Sequence, residues 1–361
     1  MIQMDTETKM NLAREVGEEI ITEEDLRTLF ETKAHPIAYD GFEPSGRIHI
    51  AQGMLRAINI AKLNKTGIRF KLWVADWFAW MNNKLGGDLD KIQVTGNYFI
   101  EVWKACGLDT KKVGFVWAKD SMADETYWKK VVNISRSSTV SRIMRCSQIM
   151  GRDESTSLSA AQILYPCMQC ADIFHLKADI AQLGMDQRKV NVLAREIGPK
   201  IGYYKPVAMH HHMLLSLTEP PKKTLSATER AIAMKMSKSK PDTAIFMTDT
   251  EKEIKRKINS AFCPPKQLED NPLIDYSKHL IFQKYDTMLI ERPTKYGGNL
   301  EIHGFDELCK IYRAGELHPM DLKQSVSKSL NTMLEPVRTH FEKNKKAKAL
   351  LEKVASYNVT R

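Results

Sequence analysis

The sequence predicts an α/β protein in which a parallel β-sheet with crossover helices is followed by a mainly α-helical domain. Two observations predict the first part: short apolar strand candidates alternate with helical patterns, and most of these helices are 10–20 residues long. A third observation predicts the second part, because after Pro241 no clear strand alternation recurs and helical patterns dominate. We therefore expect a first domain over 1–245 and a second over 246–361.

The expected elements can be assigned in chain order. In the first domain the expected helices cover 9–33, 49–64, 88–106, 124–150 and 165–177. The expected strands of that domain cover 36–42, 69–76, 113–118 and 179–184. In the second domain the expected helices cover 249–261, 272–284, 304–314, 319–340 and 341–356. Helices that connect consecutive strands in this way are typical of right-handed crossovers, and hence of a parallel sheet.

The charge of the chain is unevenly distributed. The 361 residues carry a formal net charge of +10. Residues 222–240 alone hold six basic and one acidic side chains, whereas 246–361 hold 20 basic and 16 acidic. This excess makes a polyanionic partner worth considering, although many basic proteins bind none. An apolar fraction of 43% and a charged fraction of 27% exclude a fully disordered or fibrous chain.

The cysteines and the N-terminus bear on the expected compartment. Six cysteines are too few for a disulfide framework in a chain of this length. Cys167 and Cys170 form a C-x-x-C without a second pair at zinc-finger spacing, which favours packed, reduced thiols over zinc. The N-terminus lacks the pattern of a secretory signal, and no apolar run approaches the roughly 20 residues that span a bilayer. We expect a soluble cytoplasmic protein with no structural metal.

The first candidate site lies between the first strand and the next helix, in the segment Glu43–Gly53 (EPSGRIHIAQG). Backbone N–H groups and the dipole at the start of a helix favour a phosphate there. Pro44 and Gly46 shape the turn, and His49 can donate a hydrogen bond to a phosphate oxygen. The same residues also fit an ordinary capped strand-to-helix turn.

The second candidate site is the segment Lys235–Lys240 (KMSKSK), inside the basic stretch. Ammonium groups and hydroxyls on a mobile loop suit a triphosphate, where negative charge builds up in the transition state. By itself the segment also fits a solvated basic loop. The two segments in this order, about 190 residues apart, are much less expected by chance.

The third candidate site is the helical segment Tyr165–Asp172. Tyr165, Gln169 and Asp172 are spaced i, i+4 and i+7, so they share one face of an otherwise apolar helix with Pro166 at its first position. A phenol, an amide and a carboxylate are costly to bury without polar partners. A bound amino acid would supply those partners, but a structural polar stripe fits the residues equally well.

The first two segments resemble the signatures of class I aminoacyl-tRNA synthetases. His49–Gln52 resembles a variant HIGH motif in which Gln52 replaces the second histidine, and Lys235–Ser239 is similar to an unmodified KMSKS loop. With the segments around them, most of the chain resembles tyrosyl-tRNA synthetases of the eukaryotic and archaeal kind. The resemblance implies a Rossmann-type catalytic domain over 1–245 with a dimerisation insertion near 119–162, a KMSKS loop at 222–240 and an anticodon-binding domain over 246–361.

The resemblance also implies a reaction and its partners. The activity would be that of a tyrosine–tRNA ligase in cytoplasmic translation, in which ATP activates tyrosine and the tyrosyl group then passes to tRNA(Tyr). L-Tyrosine, ATP with Mg²⁺ and tRNA(Tyr) are the implied ligands, and the family implies a homodimer with no membrane association. The groups implied to stabilise charge on the phosphates are His49, Gln52, Lys235 and Lys238.

The same resemblance implies the binding residues. The implied tyrosine contacts are Tyr39, Tyr165, Gln169, Asp172, Gln187 and Asp76, the last of which also fits a simple cap at the end of a strand. The implied ATP contacts are Gly41, Ser45, Gly46, His49, Met213, Leu214, Lys235, Met236, Ser237, Lys238 and Ser239. Tyr39 and Asp172 would read the tyrosine hydroxyl and reject phenylalanine, which would leave them unpaired, an effect for which this family is the standard example.

Three alternatives stay open at the level of the sequence. A tryptophanyl-tRNA synthetase shares the fold and both signatures, but the pair Tyr39 and Asp172 argues against it. A smaller nucleotidyltransferase with an HxGH-type site would leave the helical second domain unexplained. A non-catalytic RNA-binding or signalling paralogue is favoured only by Gln52, and the complete KMSKS sequence argues against it.

Overall fold

The central element of the fold is a six-stranded sheet. A computed structural model of the chain describes residues 4–150, 157–221, 234–238 and 240–359. The strands of the sheet in this part are β1 Gly17–Ile21, β2 Ile37–Phe42, β3 Arg69–Val74, β4 Val113–Trp117, β5 Ile180–Gly184 and β6 Val207–His211. Their spatial order is β1-β6-β5-β2-β3-β4, and only β1 is antiparallel to its neighbour.

Helices cover both faces of this sheet and make up most of the C-terminal region. The helices associated with the sheet are α1 Thr6–Val16, α2 Glu23–Thr32, α3 Met54–Lys65, α4 Asp76–Met81, α5 Leu89–Ala105, α6 Ala118–Met122, α7 Glu125–Arg136, α8 Val140–Met144, α9 Ala160–His175 and α10 Arg188–Ile197. The C-terminal region holds α11 Glu251–Ser260, α12 Pro272–Tyr276, α13 Phe305–Ala314, α14 Pro319–Lys343 and α15 Lys345–Ala355, with a hairpin of β7 Thr287–Ile290 and β8 Leu300–His303. None of the helices in the described ranges is both long and apolar enough to cross a bilayer.

The predicted fold class is confirmed. The four predicted strands are present, lie parallel and end within two residues of their predicted limits. The mainly helical character of the C-terminal region is also confirmed. The predicted boundary near 245 falls in an extended segment, where the Ile50 N–H donates to the Ile245 carbonyl and the Met247 N–H to the Ile48 carbonyl. The limits of the two domains remain a prediction.

The single helix predicted over 9–33 is wrong, because β1 interrupts it. Gly17 ends α1 and begins β1, which pairs with β6 at the edge of the sheet. The hydrogen bonds of that pairing come from residues about 190 positions further along the chain, so no local pattern reveals them. The prediction also lacked the hairpin of β7 and β8, and the helix expected over 272–284 is divided by a π-helical segment, Ser277–Ile281.

The helices around the third candidate site also differ from their prediction. α9 begins at Ala160 rather than at 165, because Ser159 and Gln162 form a capping box. Pro166 therefore lies inside the helix and not at its first position. The helix predicted over 124–150 is divided into α7, α8 and a short 3₁₀ segment, since Thr139 accepts from the Arg142 N–H and caps a new helix.

Side chains of the strands alternate between two apolar cores. Ala38 and Leu72 face the core that α1, α3 and α5 complete, whereas Tyr39 and Trp73 face the core that α7, α9 and α10 complete. The first core continues without a break into the helices of the C-terminal region. The sheet and that region are therefore packed against each other by apolar surface.

A crevice opens between β2 and β5 at the carboxyl ends of the strands. β2 pairs with β3 along its whole length, but it pairs with β5 only at Ala38 and Tyr39. The two strands separate beyond Tyr39, and the strand order reverses at the same point, since β2 lies between β3 and β5. Open α/β sheets bind ligands at such a reversal, outside the carboxyl ends of the strands.

Candidate functional site

A cavity of about 1020 Å³ occupies this crevice. It is lined by most of the residues predicted from the sequence: Tyr39, Gly41, Ser45, His49, Gln52, Tyr165, Gln169, Asp172, Gln187, Met213, Leu214, Lys235, Met236, Ser237 and Lys238. Two predicted residues, Gly46 and Asp76, are not part of this lining. Ser239 and positions 222–233 of the predicted KMSKS loop lie outside the described residues.

Polar side chains from one face of α9 line the cavity beside the turn that follows β2. The Tyr165 hydroxyl donates to Glu43 Oε1 at 2.7 Å, and burial followed by the charge of Glu43 raises the pKa of Tyr165 well above its usual value. Gln169 Nε2 donates to Gln187 Oε1 at 3.0 Å, and Gln187 Nε2 donates to the Ile149 carbonyl at 3.2 Å. A carboxylate and amide oxygens therefore converge here, which suits a positively charged ligand group.

The buried end of the cavity is built around Asp172. Its carboxyl group is almost fully buried and accepts a hydrogen bond from the Tyr127 hydroxyl at 2.8 Å. The Tyr39 hydroxyl is buried and has no hydrogen-bond partner within the described part of the chain. Burial, and next the charge of Asp172, raises the pKa of Tyr39 well above its usual value, and burial raises that of Asp172. An oriented carboxyl group and a phenol are thus available to a ligand hydroxyl.

Apolar side chains surround that buried end. Trp73, Ala75 and Phe78 are buried residues that line the cavity. The Phe78 ring lies edge-on to the Tyr165 ring, with 4.8 Å between centroids. A pocket with apolar walls and a polar end fits an aromatic side chain that carries a hydroxyl.

The open end of the cavity carries two lysines of the second candidate site. Lys235 Nζ lies 3.2 Å from Asp186 Oδ2, and Lys238 Nζ lies 3.2 Å from the Ser45 hydroxyl and 4.5 Å from the centroid of the Phe99 ring. Burial, and next the neighbouring Lys84, lowers the pKa of Lys238 to about 7. Lys238 thus reaches the turn after β2, and Lys235 reaches the segment after β5.

His49 and Gln52 bring polar groups without partners to the same end. His49 Nδ1 and Gln52 Oε1 are buried and have no hydrogen-bond partner among the described residues. Burial, then the charges of Lys238 and Lys235, lowers the pKa of His49 well below its usual range. The imidazole is therefore neutral at pH 7 and has one N–H to donate. Buried polar groups of this kind are costly unless a ligand satisfies them.

Met213 and Leu214 follow β6 and form an apolar part of the lining. A Cβ at Gly184 would lie 2.6 Å from Met213 Sδ, so the absence of a side chain there is what lets Met213 pack over β5. Leu214 is almost fully buried. This surface suits the face of a purine base.

A buried network behind the cavity fixes the strands that carry these groups. Arg56 of α3 is fully buried, and its Nε lies 2.8 Å from Asp40 Oδ2. The same guanidinium donates to Gln182 Oε1 at 2.5 Å and to His211 Nδ1 at 3.2 Å. The Arg56 side chain therefore joins β2, β5 and β6 to α3.

Asp76 and Gly46 are the two predicted contacts that lie outside this lining. The Asp76 carboxylate accepts from the backbone N–H groups of Trp77 and Lys119 at 3.0 and 3.1 Å and from Gln93 at 3.2 Å. It therefore caps α4 and α6, the alternative that the sequence left open, and its contact with tyrosine stays a prediction. Gly46 has φ +118°, a conformation that favours glycine, so its part is to shape the turn.

Three residues of the site were missed by the sequence analysis. Glu43 belongs to the first candidate segment but was not named as a binding residue. It directly follows β2, and a carboxylate at the end of a strand was the signal that could have indicated its role. Lys84 lies 3.8 Å from Glu43 and lines the cavity. Tyr127 stands 45 residues from Asp172, on a helix whose own pattern gives no sign of the contact.

Comparison with known proteins identifies what the chain is similar to. A family model described as class I tRNA synthetases (W and Y) matches residues 31–335. The cytoplasmic tyrosine–tRNA ligase 1 of Arabidopsis thaliana is 51% identical over 99% of this chain and 90% of its own.

Two solved structures give the same result. The tyrosyl-tRNA synthetase of Leishmania major in complex with tyrosinol has a TM-score of 0.89 and 44% identity over 99% of this chain, which spans 61% of the Leishmania chain. The tyrosyl-tRNA synthetase of Pyrococcus horikoshii with L-tyrosine has a TM-score of 0.89 and 40% identity, and the match covers 97% of this chain and all of the other.

Proposed function

This chain belongs to the class I tRNA synthetases of the tryptophan and tyrosine group, and from that premise we propose that it is a tyrosine–tRNA ligase. The observation that carries the choice of tyrosine is the buried end of the cavity. There the Tyr39 hydroxyl lacks a hydrogen-bond partner among the described residues, and Tyr127 orients Asp172. The hydroxyl of a tyrosine side chain between the apolar walls would donate to Asp172 and accept from Tyr39. A phenyl ring would leave both groups unpaired, and an indole, which has an N–H but no acceptor, would leave Tyr39 unpaired.

The amino group of the substrate would lie beside α9. Glu43 supplies the negative charge there, and Gln169 and Gln187 supply amide oxygens. Contact with these groups at one end and with Asp172 at the other would fix the substrate along the cavity. Its carboxylate would then point towards the open end, which orients it for attack before ATP arrives.

The first step would form an acyl phosphate bond. A tyrosine carboxylate oxygen attacks the α-phosphorus of ATP, the bond from that phosphorus to the bridging oxygen breaks, and pyrophosphate leaves with the electron pair. No protein nucleophile or general base is required, because the attacking group is already ionised. The protein contributes orientation and stabilisation of the charge that moves onto pyrophosphate.

Four side chains are positioned to stabilise that charge. Lys235 and Lys238 are amino-group donors, and the neutral His49 imidazole has a buried nitrogen without a partner among the described residues. Gln52 lines the cavity beside them, and the NH₂ of its amide would donate to a phosphate in place of the histidine that it replaces. Mg²⁺ would enter on the ATP phosphates, and the carboxylate of Asp186, beside Lys235 in the lining, would be one oxygen ligand for it. When bound, the ion neutralises phosphate charge.

The second step would transfer the tyrosyl group to tRNA(Tyr). A hydroxyl of the terminal ribose attacks the tyrosyl carbonyl carbon, and AMP leaves. The helical region over 246–361 would bind the anticodon, with its modest excess of basic residues making phosphate contacts. Unstacked anticodon bases would be read there by aromatic and polar side chains.

The assembly and compartment are also part of the proposal. Val132 and Val140 expose 54% and 69% of their surface in the segment 119–162, which favours this segment as the contact between two copies. The part of that segment over 151–156 lies outside the described residues. We place the enzyme in the cytoplasm because the Arabidopsis relative is named as cytoplasmic.

Amino-acid-dependent exchange between ATP and pyrophosphate tests the function. We expect exchange with tyrosine and none above background with tryptophan or phenylalanine. We also expect the enzyme to charge tRNA(Tyr) with tyrosine. Exchange that depends on tryptophan would show that the buried end of the cavity has been assigned to the wrong amino acid. Absence of exchange with all three would favour the non-catalytic paralogue.

A further inference from the structure

Three metal-binding side chains meet where the sheet packs against the helical C-terminal region. His212 follows β6, Asp275 lies on α12, and His279 lies in the π-helical segment Ser277–Ile281. Each offers one ligand atom, and these atoms lie within 4.8 Å of one another. Asp275 Oδ1 is 2.7 Å from His212 Nε2 and 3.7 Å from His279 Nε2. We propose that these three residues form a Zn²⁺ site.

The ligand set and its spacing suit zinc. Zn²⁺ binds imidazole nitrogen and carboxylate oxygen at about 2.0–2.2 Å, which places tetrahedral ligand atoms about 3.3–3.6 Å apart. The two distances from Asp275 lie on either side of that range, so the side chains must rotate to give the tetrahedral geometry. Two imidazoles favour Zn²⁺ over Mg²⁺, which takes oxygen ligands. Water completes the fourth position, as at other zinc sites with three protein ligands.

The groups around the cluster orient its ligands. Glu18 Oε2 lies 3.2 Å from His212 Nδ1. A carboxylate therefore holds the ring nitrogen that would point away from the metal, and Nε2 is the nitrogen that would bind it. This is the arrangement by which carboxylates commonly orient histidine ligands of zinc. The other oxygen of Asp275 accepts the Leu215 backbone N–H at 3.0 Å, which fixes that carboxylate as well.

The arrangement of the two histidine rings indicates which side chain must move when Zn²⁺ binds. The rings of His212 and His279 are stacked, with centroids 4.0 Å apart and planes at 13°. The nitrogen lone pairs of parallel rings lie in separate parallel planes, so Zn²⁺ binding must turn one ring towards the other. His212 is held by Glu18 and Asp275 at 3.2 and 2.7 Å, whereas His279 lies 3.7 Å from Asp275, so His279 is the ring that can turn.

The cluster is joined to the cavity through the backbone. Tyr276 donates its hydroxyl to the Leu215 carbonyl at 2.8 Å, and Leu215 forms a β-bridge with Lys235. His212 itself lines the cavity, whereas His210 bonds to Glu19 on the outer strand. A metal bound here would therefore hold the helical region against the segment that pairs with Lys235.

The test is a Zn²⁺ titration of the chelator-treated full chain without nucleotide, against a chromophoric competitor. The wild type is expected to bind one Zn²⁺ tightly. His279→Ala should weaken that binding at least tenfold, and Glu18→Gln by about 10–100-fold, as expected when the carboxylate behind a histidine ligand is neutralised. The matched control His303→Ala removes an exposed histidine from β8 and should leave the affinity unchanged.

Two further measurements keep the result interpretable. Co²⁺ in place of Zn²⁺ should give visible absorption of tetrahedral nitrogen and oxygen coordination, which His279→Ala loses. Tyrosine-dependent pyrophosphate exchange by metal-free His279→Ala shows that this variant is folded, and separates the site from the proposed function. A wild type that binds no Zn²⁺, or equal affinity in wild type and His279→Ala, would overturn the proposal.

Discussion

The two ends of the cavity differ in how fully their polar groups are satisfied without substrate. At the amino-acid end, Tyr165, Gln169 and Asp172 each have a hydrogen-bonded protein partner, and the Tyr39 hydroxyl is left without one among the described residues. At the phosphate end, both members of the first signature have a buried atom, His49 Nδ1 and Gln52 Oε1, without a hydrogen-bond partner in the described part of the chain. Preformed hydrogen bonds hold a recognition site in one geometry, whereas unpaired groups gain most when a ligand arrives. The difference indicates that the tyrosine end supplies selectivity and that the phosphate end supplies rate.

Lys238→Met gives the largest expected effect and tests the phosphate end. Loss of a cationic donor to the departing pyrophosphate should lower the rate of adenylate formation by about 10²–10³-fold. Tyrosine binding, measured by equilibrium dialysis, should stay within twofold of the wild type. Lys255→Met, an exposed lysine on α11, serves as the control. Equal losses in rate and tyrosine affinity would mean that the two ends do not act separately.

Glu43→Gln tests the amino-acid end. A charge-assisted hydrogen bond is worth about 1.5–3 kcal/mol, so removal of the charge should weaken tyrosine binding by roughly 10–100-fold. The KM for ATP should change little. Glu316→Gln, which alters an exposed carboxylate of the C-terminal region, is the control. An increase confined to the KM for ATP would place Glu43 at the wrong end of the cavity.

The pKa of Lys238 predicts a pH dependence. Burial lowers this pKa from 10.5 to about 7, so the free enzyme holds Lys238 largely neutral above pH 7. Phosphate binding requires the charged form, and the KM for ATP should therefore rise by up to about tenfold per pH unit between pH 7.5 and 9. Lys238→Met should flatten this dependence. Superimposable profiles for the two proteins would exclude Lys238 as its source.

Tyr127→Phe gives the smallest expected effect. Asp172 would lose one buried hydrogen bond but keep its place on α9, which should lower kcat/KM for tyrosine by about 5–10-fold. Tyr312→Phe is the matched control, because its hydroxyl donates to the Pro264 carbonyl, far from the cavity. If both variants behaved as the wild type, Tyr127 would have no part in orienting Asp172.

The sequence predicted what depends on local pattern. The spacing of Tyr165, Gln169 and Asp172 was enough to place them on one face of a helix, and all three line the cavity. The strand β1 could not be predicted in the same way, because its hydrogen bonds come from β6. Tyr127 was missed for a similar reason, since its contact with Asp172 depends on how α7 packs against α9.

The case of Asp76 shows why a carboxylate at the end of a strand is ambiguous in a sequence. The end of β3 does reach the cavity, because Trp73 and Ala75 line it. The Asp76 carboxylate nevertheless accepts hydrogen bonds from N–H groups in the first turns of α4 and α6. These hydrogen bonds can be recognised only once the positions of both helices are known.

The central claim is that Asp172, at the buried end of the cavity, reads the tyrosine hydroxyl. The most direct test is the ratio of kcat/KM for tyrosine to that for phenylalanine in pyrophosphate exchange, compared between the wild type and Asp172→Asn. We expect the ratio to be at least tenfold lower in Asp172→Asn than in the wild type, because only the substrate with a hydroxyl loses a contact. An equal fall in both values, with the ratio unchanged, would contradict it.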